Sequence, residues 1–225
     1  MIRSSKKQKI LWIVDFDYAL FDLYRFMDEF EKMLERRFGV PELICCAAKI
    51  KVQRRALYNF ERHLHAIEKE LGLPRQKVAG EAMRHVKTLL TNAEQYFFHD
   101  AMPFMRRIAK DGEVILLSYG HAPHQRRKVK ASGLERYCDR TIFTATKRGK
   151  AKWVKKLATA GRRVIIVNDD PRETRMMIAA LKSSRADFAA SRVFLVERPT
   201  GKYFPIPPHK DYVVVRDLRK VEAFL

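Results

Sequence analysis

Cysteine is scarce in this chain, with three in 225 residues: Cys45 and Cys46 are adjacent and Cys138 lies far away. An odd count without C-x-x-C spacing argues against a disulfide framework and supplies no zinc site. Long apolar runs are missing too, since no stretch approaches the roughly 20 residues of a membrane helix. Behind the basic start MIRSSKKQKI, the run ILWIV ends after five residues at Asp15, too short for the core of a secretory leader. The expectation is a soluble, cytoplasmic protein, large enough for one big domain or for a core with a modest inserted domain. Internal repeats and low-complexity tracts are absent. No G-x-x-x-x-G-K-[ST] loop occurs, which gives no support to a P-loop nucleotide triphosphatase.

Acidic residues are also in short supply: 26 Asp and Glu stand against 46 Lys and Arg, a formal charge of +20. The excess is concentrated, because residues 124–163 carry 14 basic side chains and only two acidic ones, Glu135 and Asp139. Such a field attracts nucleic acid or phosphorylated ligands. The plainer alternative is a solubilising surface.

Residues 9–16 (KILWIVDF) form an apolar run without alternation, the pattern of a strand buried on both faces of a parallel sheet. Similar runs recur at 113–118, 163–167, 192–196 and 212–215, with a weaker one at 141–144. Helical patterns at 102–110, 123–132, 150–160 and 171–181 lie between them. Alternation of this kind predicts an α/β fold with a doubly wound, mostly parallel, Rossmann-like sheet. Residues 24–96 break the rhythm. Leu23, Phe26, Met27, Phe30, Met33 and Leu34 share one helical face, and Leu57, Phe60, Leu64, Ile67 and Leu71 make a second stripe. Ala79, Met83, Val86 and Leu90 make a third. The expected organisation is a core of residues 1–23 and 97–225 with an all-helical insertion at 24–96, whose Met and Phe stripes read as bundle core.

The first buried strand ends in Asp15-Phe16-Asp17, and carboxyl ends of parallel strands are where such sheets place their sites. Paired carboxylates there call for a positive partner, commonly a metal ion. Asp169-Asp170 closes the run RVIIVN ahead of a helix opening at Pro171. Asp170 also reads as a simple N-cap. Together the two acid pairs offer the hard oxygen ligands that magnesium prefers.

WIVDFDYALFD resembles the first motif of the haloacid dehalogenase-like (HAD) superfamily, D-x-D-x-T with a Leu-Phe-Asp continuation. LLSYG is similar to its second motif and VIIVNDDPRE to its acidic fourth. SYGHAPHQRRKVKASGLERYCDRTIF resembles the helix, Gly-Leu turn and third strand that connect them. The likeness runs from about residue 9 to 225, and the helical insertion matches by position alone, as a cap between the first and second motifs. It implies a magnesium-dependent phosphohydrolase, a phosphomonoesterase acting through an aspartyl-phosphate. Asp15 would be the nucleophile and Asp17 the general acid and base. Ser118, Tyr119 and Lys150 would bind phosphate, with Ser118 and Lys150 also stabilising the transferring group. Lys147 is the alternative to Lys150. Magnesium would be held by Asp15, the Asp17 carbonyl and Asp169 or Asp170. Ser118 alone would pass for a turn residue, Asp22 for a cap, and His121 and His124 for loop histidines. Tyr18 and Ala19 depart from the pattern, which usually has Gly and Thr or Val there. The rival reading is a catalytically weak module of the same fold that binds nucleic acid or another polyanion.

Overall fold

The computed structural model describes residues 10–201 and 203–224; the basic stretch at 1–9 lies outside them. In chain order the elements are β1 (Ile10–Val14), α1 (Leu23–Phe38), α2 (Glu42–Arg55), α3 (Phe60–Glu70), α4 (Ala79–Thr91), α5 (Ala101–Asp111), β2 (Gly112–Tyr119), α6 (Ala122–Ala131), β3 (Arg140–Thr144), α7 (Lys147–Leu157), β4 (Val164–Asn168), α8 (Pro171–Lys182), β5 (Arg192–Val196) and β6 (Val213–Val215). They form two compact units.

The sheet unit contains all six strands in the order β3-β2-β1-β4-β5-β6, every neighbouring pair parallel. Burial on both faces explains the unalternated apolar runs. Leu11 and Ile13 face one way, toward Val154, Leu157, Met177, Ile178 and Leu181 of α7 and α8. Trp12 faces the other way, with Phe104 of α5 edge-on at 5.8 Å. The chain builds outward from β1 to β2 and β3, then returns to β4 on the opposite side. That reversal opens a crevice beyond the carboxyl ends of β1 and β4, the usual ligand position in such sheets. Helix α7 begins three residues earlier than the sequence pattern indicates, because Thr146 caps it by accepting from the Gly149 amide at 3.1 Å. A side chain at 149 would meet Thr144 at 2.8 Å, so glycine lets the first turn of α7 close on the end of β3.

The helical unit comprises Asp22–Tyr96 and Gly120–Leu134. The expected core had included the second segment, but α6 packs against α4 and so belongs with the helices. Phe26, Phe30 and Phe60 interlock at its centre, with Phe30 and Phe60 4.7 Å apart. Helix α2 has no counterpart among the sequence stripes: its apolar residues are spread around the axis, and Leu43 and Ile50 lie exposed. Asp22 caps α1 by accepting from Arg25 N at 3.0 Å.

Glu68 holds the start of α4, its Oε1 accepting from the Val78 and Ala79 amides at 2.8 Å each and its Oε2 from Gln76 N at 3.2 Å and His65 Nδ1 at 2.9 Å. Burial pushes its pKa up, but these donors more than offset it and leave the carboxyl below its ordinary value. A depressed folded pKa adds stability above the unfolded value of about 4.5 and loses it as pH falls through the folded value. Glu68→Gln is therefore expected to cost about 2 kcal/mol at neutral pH and to flatten the acid limb of the stability curve. Hydrogen exchange at the Val78 and Ala79 amides measures both effects.

No helix among the described residues is long and apolar enough to cross a membrane. The three cysteines are free thiols.

Candidate active site

Adjacent strands deliver the site. Val14 is level with Leu116 on β2 and Val167 on β4, so Asp15, Ser118 and Asp169 emerge together at the carboxyl edge. Asp15 is buried, its amide bonded to the Val167 carbonyl at 2.9 Å and its Oδ1 to the Phe16 amide at 2.8 Å. The following turn rests on Phe16, which stacks on Phe21 at 5.1 Å and meets Phe97 edge-on. Tyr18 in that turn has φ +61°, the left-handed region. A side chain there costs about 1–2 kcal/mol, which explains why glycine is common at this place in the motif. Ala19 is fully buried, and its carbonyl accepts from Arg198 at 2.8 Å. Asp17 lies half-buried in the same turn.

Lys150 is 1% exposed and joins two carboxylates, Asp15 Oδ2 and Glu173 Oε2, each at 2.7 Å. Asn168 Oδ1 accepts from it at 3.3 Å. Burial lowers the Lys150 pKa, but Asp15 and Glu173 outweigh burial and raise it, so the ammonium stays charged. Lys147 sits one turn earlier and is directed elsewhere, bonding Asp170 Oδ2 and lying 3.5 Å from Glu173. Of the two candidate lysines, Lys150 is the one that reaches Asp15.

The acidic pair divides its work. Asp170 caps α8, its Oδ1 accepting from Arg172 N at 2.7 Å and Glu173 N at 3.2 Å, while Oδ2 takes Tyr203 OH at 2.7 Å and Lys147. Burial raises its pKa, and these donors overcome that and lower it. With both oxygens engaged in this way, Asp170 is a poor metal ligand, and of the two expected ligands Asp169 is the one left facing Asp15. Burial, then the charge of Asp15, pushes the Asp169 carboxyl well above the usual range, and Asp15 is raised by burial against the attraction of Lys150.

Lys150 is thus shared by Asp15 and Glu173, Glu173 lies 3.5 Å from Lys147 as well, and among the described residues the Asp15–Asp169 pair together has only Lys150 as a cationic contact. The excess negative charge fits a divalent cation better than it fits a bare phosphate. No group of three or more His, Cys, Asp or Glu among the described residues forms a protein-only metal cage. Magnesium is commonly bound by one or two carboxylates, with waters and substrate oxygens completing the shell. The Asp15–Asp169 pair matches that donor set.

Ser118 is buried at the end of β2, with Tyr119 beside it. His121 and His124 belong to the helical unit, where His124 meets Phe60 at 4.9 Å. Sequence reasoning missed four residues. Glu173 stood in plain view at the third position of α8, where an acidic residue reads as a capping partner. Asn168, buried, donates to the Asp170 carbonyl at 3.2 Å and to Thr174 Oγ1 at 3.0 Å. Tyr203 and Arg198, on the segment after β5, help to line a cleft with Tyr18, Asp169, Val196 and Phe204. Arg198 forks onto Asp100 with two 2.8 Å bonds and reaches the Ala19 carbonyl at 2.8 Å, tying the turn after Asp15 to the core.

No protein-family model matches the sequence, and a search of the curated proteins finds no match. Solved structures do match. A putative haloacid dehalogenase-like hydrolase from Burkholderia xenovorans LB400 is 18% identical with a TM-score of 0.71, covering 95% of each chain. A putative HAD-hydrolase from Bacillus subtilis bound to magnesium is 12% identical, TM-score 0.61, over 97% of this chain and 99% of that one. An L-2-haloacid dehalogenase from Xanthobacter autotrophicus, with chloropropionic acid covalently bound, is 14% identical, TM-score 0.58, over 95% and 97%. The fold is that of the HAD-like hydrolases.

Proposed function

We propose that the protein is a magnesium-dependent phosphomonoesterase acting through an aspartyl-phosphate on Asp15. The observation that carries this reading is the buried cluster in which Lys150 bridges Asp15 and Glu173 while Asp169 faces Asp15. Lys150 keeps Asp15 oriented and partly neutralised. Attack by an Asp15 oxygen on phosphorus forms the O–P bond as the ester oxygen leaves, and Asp17 gives that oxygen its proton. Asp17 then takes a proton from the water that cleaves the acyl phosphate, returning Asp15 and free phosphate. Ser118 and the Tyr119 backbone supply hydrogen bonds to the phosphoryl oxygens, and Lys150 offsets the charge that develops there. Asp15, the Asp17 carbonyl and Asp169 would hold magnesium, whose charge shields the incoming dianion from the carboxylates. Glu173 and Asn168 act through Lys150 as positioning residues.

A dehalogenase of the same fold holds chloropropionic acid covalently bound, so attack of Asp15 on a carbon that bears a halide is the competing reaction. Asp17 supports the phosphoryl reading, because displacement of a halide needs no proton donor for the leaving group. The test is a panel of phosphomonoesters and 2-haloacids assayed for phosphate and halide release, with magnesium and with EDTA. Phosphate release that EDTA abolishes is the expected result. Halide release without phosphate release would overturn the assignment.

A further inference from the structure

Several basic side chains on the surface have acidic partners: Lys32 with Asp28, Lys49 with Glu31, Lys51 with Glu70, Arg162 with Glu113, and Lys182 with Asp211. The outward face of α7 and α8 gathers cations without such partners. Arg148, Lys152, Lys155 and Lys156 on α7 and Arg172 and Arg175 on α8 are exposed, and none makes an ion pair among the described residues. Of the acidic residues nearest in sequence, Asp169, Asp170 and Glu173 are buried, Asp170 and Glu173 paired with the lysines of the site and Asp169 facing Asp15, while exposed Asp139 accepts from the Val114 amide at 2.8 Å. No exposed carboxylate occurs between Arg140 and Lys182.

The spacing makes this a track. Lys152 follows Arg148 by four residues, and Lys155 and Lys156 follow Lys152 by three and four, so they share a stripe about 12 Å long. Helix α8 packs along α7 over the same sheet face, which places its arginines in the same layer. Both helices start at the site, α7 with Lys147 and Lys150 and α8 with Asp170 and Glu173, so the stripe begins in the helical turn that carries Lys150, on the opposite face of α7, and runs away from the site. Half-buried Trp153 flanks it, with Lys156 4.8 Å and Arg140 5.7 Å from its ring. An unpaired cationic stripe repels its own members and destabilises the fold slightly. A chain of phosphates relieves that repulsion, and a base can stack on an aromatic ring beside such a stripe.

We propose that the outer face of α7 and α8 binds the backbone of a single-stranded nucleic acid, presenting its terminal phosphate to Asp15. The presentation of the end rests on the phosphatase reading; the binding does not. The probe is a short fluorescein-labelled deoxyoligonucleotide carrying a 5′-phosphate, titrated with the full chain across a salt series. Joint reversal of Lys152, Lys155 and Arg175 to Glu should make the log K against log salt slope shallower by about 2, at roughly 0.7 per contact for single strands. Reversal of Arg36, Arg54 and Lys87, exposed on the helical unit, changes net charge equally and should leave the slope alone. Binding should also quench Trp153, since Trp12, the other tryptophan, is fully buried. The α7–α8 reversal should further reduce the preference for the oligonucleotide end over p-nitrophenyl phosphate.

No binding at low salt, an equal loss in the control reversal, or tighter binding to phosphatidylserine vesicles than to the oligonucleotide would each overturn the proposal. Binding with the expected slopes, but no phosphate release from any substrate, would uphold the surface and remove the phosphatase reading.

Discussion

Asp15→Asn is expected to reduce magnesium-dependent phosphate release to background while the protein stays folded. The substitution keeps the volume of a buried side chain but removes the charge that attacks phosphorus and half of the Asp15–Asp169 pair. Lys150 keeps Glu173 at 2.7 Å and Asn168 at 3.3 Å, so its ammonium is not stranded. Removal of Asp15's charge also relieves its repulsion of Asp169. The variant should therefore unfold no earlier than the parent in a thermal melt. Asp17→Asn should behave differently, because nucleophile and carbonyl remain and only proton transfer is lost, about 100- to 10,000-fold in rate. Esters with poor leaving groups should suffer more than p-nitrophenyl phosphate. Phosphate should accumulate on Asp15 when the attacking water lacks its base, which intact-mass measurement after an acid quench detects. Wild-type turnover by Asp15→Asn, in a preparation free of other phosphatases, would show that the nucleophile lies elsewhere.

The second large effect is on stability. Arg198 is 3% exposed, Asp100 is fully buried, and two 2.8 Å bonds join them. Asp100 Oδ2 also takes the Leu218 amide at 2.8 Å, and the Arg198 guanidinium lies 4.1 Å from the centre of the Phe98 ring. Arg198→Ala leaves Asp100 as an uncompensated buried charge, and breaking such a pair from one side costs about 3–5 kcal/mol. That is a large fraction of a domain's typical stability of about 5–15 kcal/mol. Arg198→Lys should recover only part, since an ammonium cannot make the two-pronged contact and reach the Ala19 carbonyl as well. Urea unfolding read by far-ultraviolet circular dichroism measures both variants. A loss below about 1 kcal/mol for Arg198→Ala, the scale of an exposed ion pair, would mean that water reaches Asp100.

Much of the architecture was legible because it is local. Five of the six strands announced themselves as short apolar runs and edge strand β3 more weakly, since a strand covered on both faces has no polar side to alternate whereas β3 has one. The helices α1, α3 and α4 announced themselves as stripes, since each buries one face. Helix α2 did not, because its apolar residues point in several directions and two of the largest are left in water. Segment Gly120–Leu134 was read by its neighbours in sequence, whereas packing against α4 decides its unit.

By itself the sequence determined the six strand positions, the acid pairs at the ends of β1 and β4, and the concentration of positive charge, all properties of consecutive residues. Only the tertiary structure decided which groups meet. Lys150 rather than Lys147 reaches Asp15 because Thr146 sets where α7 begins, and one helical turn then separates the two ammonium groups. Glu173 joins the site because Asp170 consumes its own oxygens as a cap and the first turn of α8 brings the next carboxylate to Lys150. Arg198 finds Asp100 across 98 residues of chain because β5 ends beside the segment that opens α5. Burial gives such contacts their energy, and burial is a property of the assembled fold that no local pattern records.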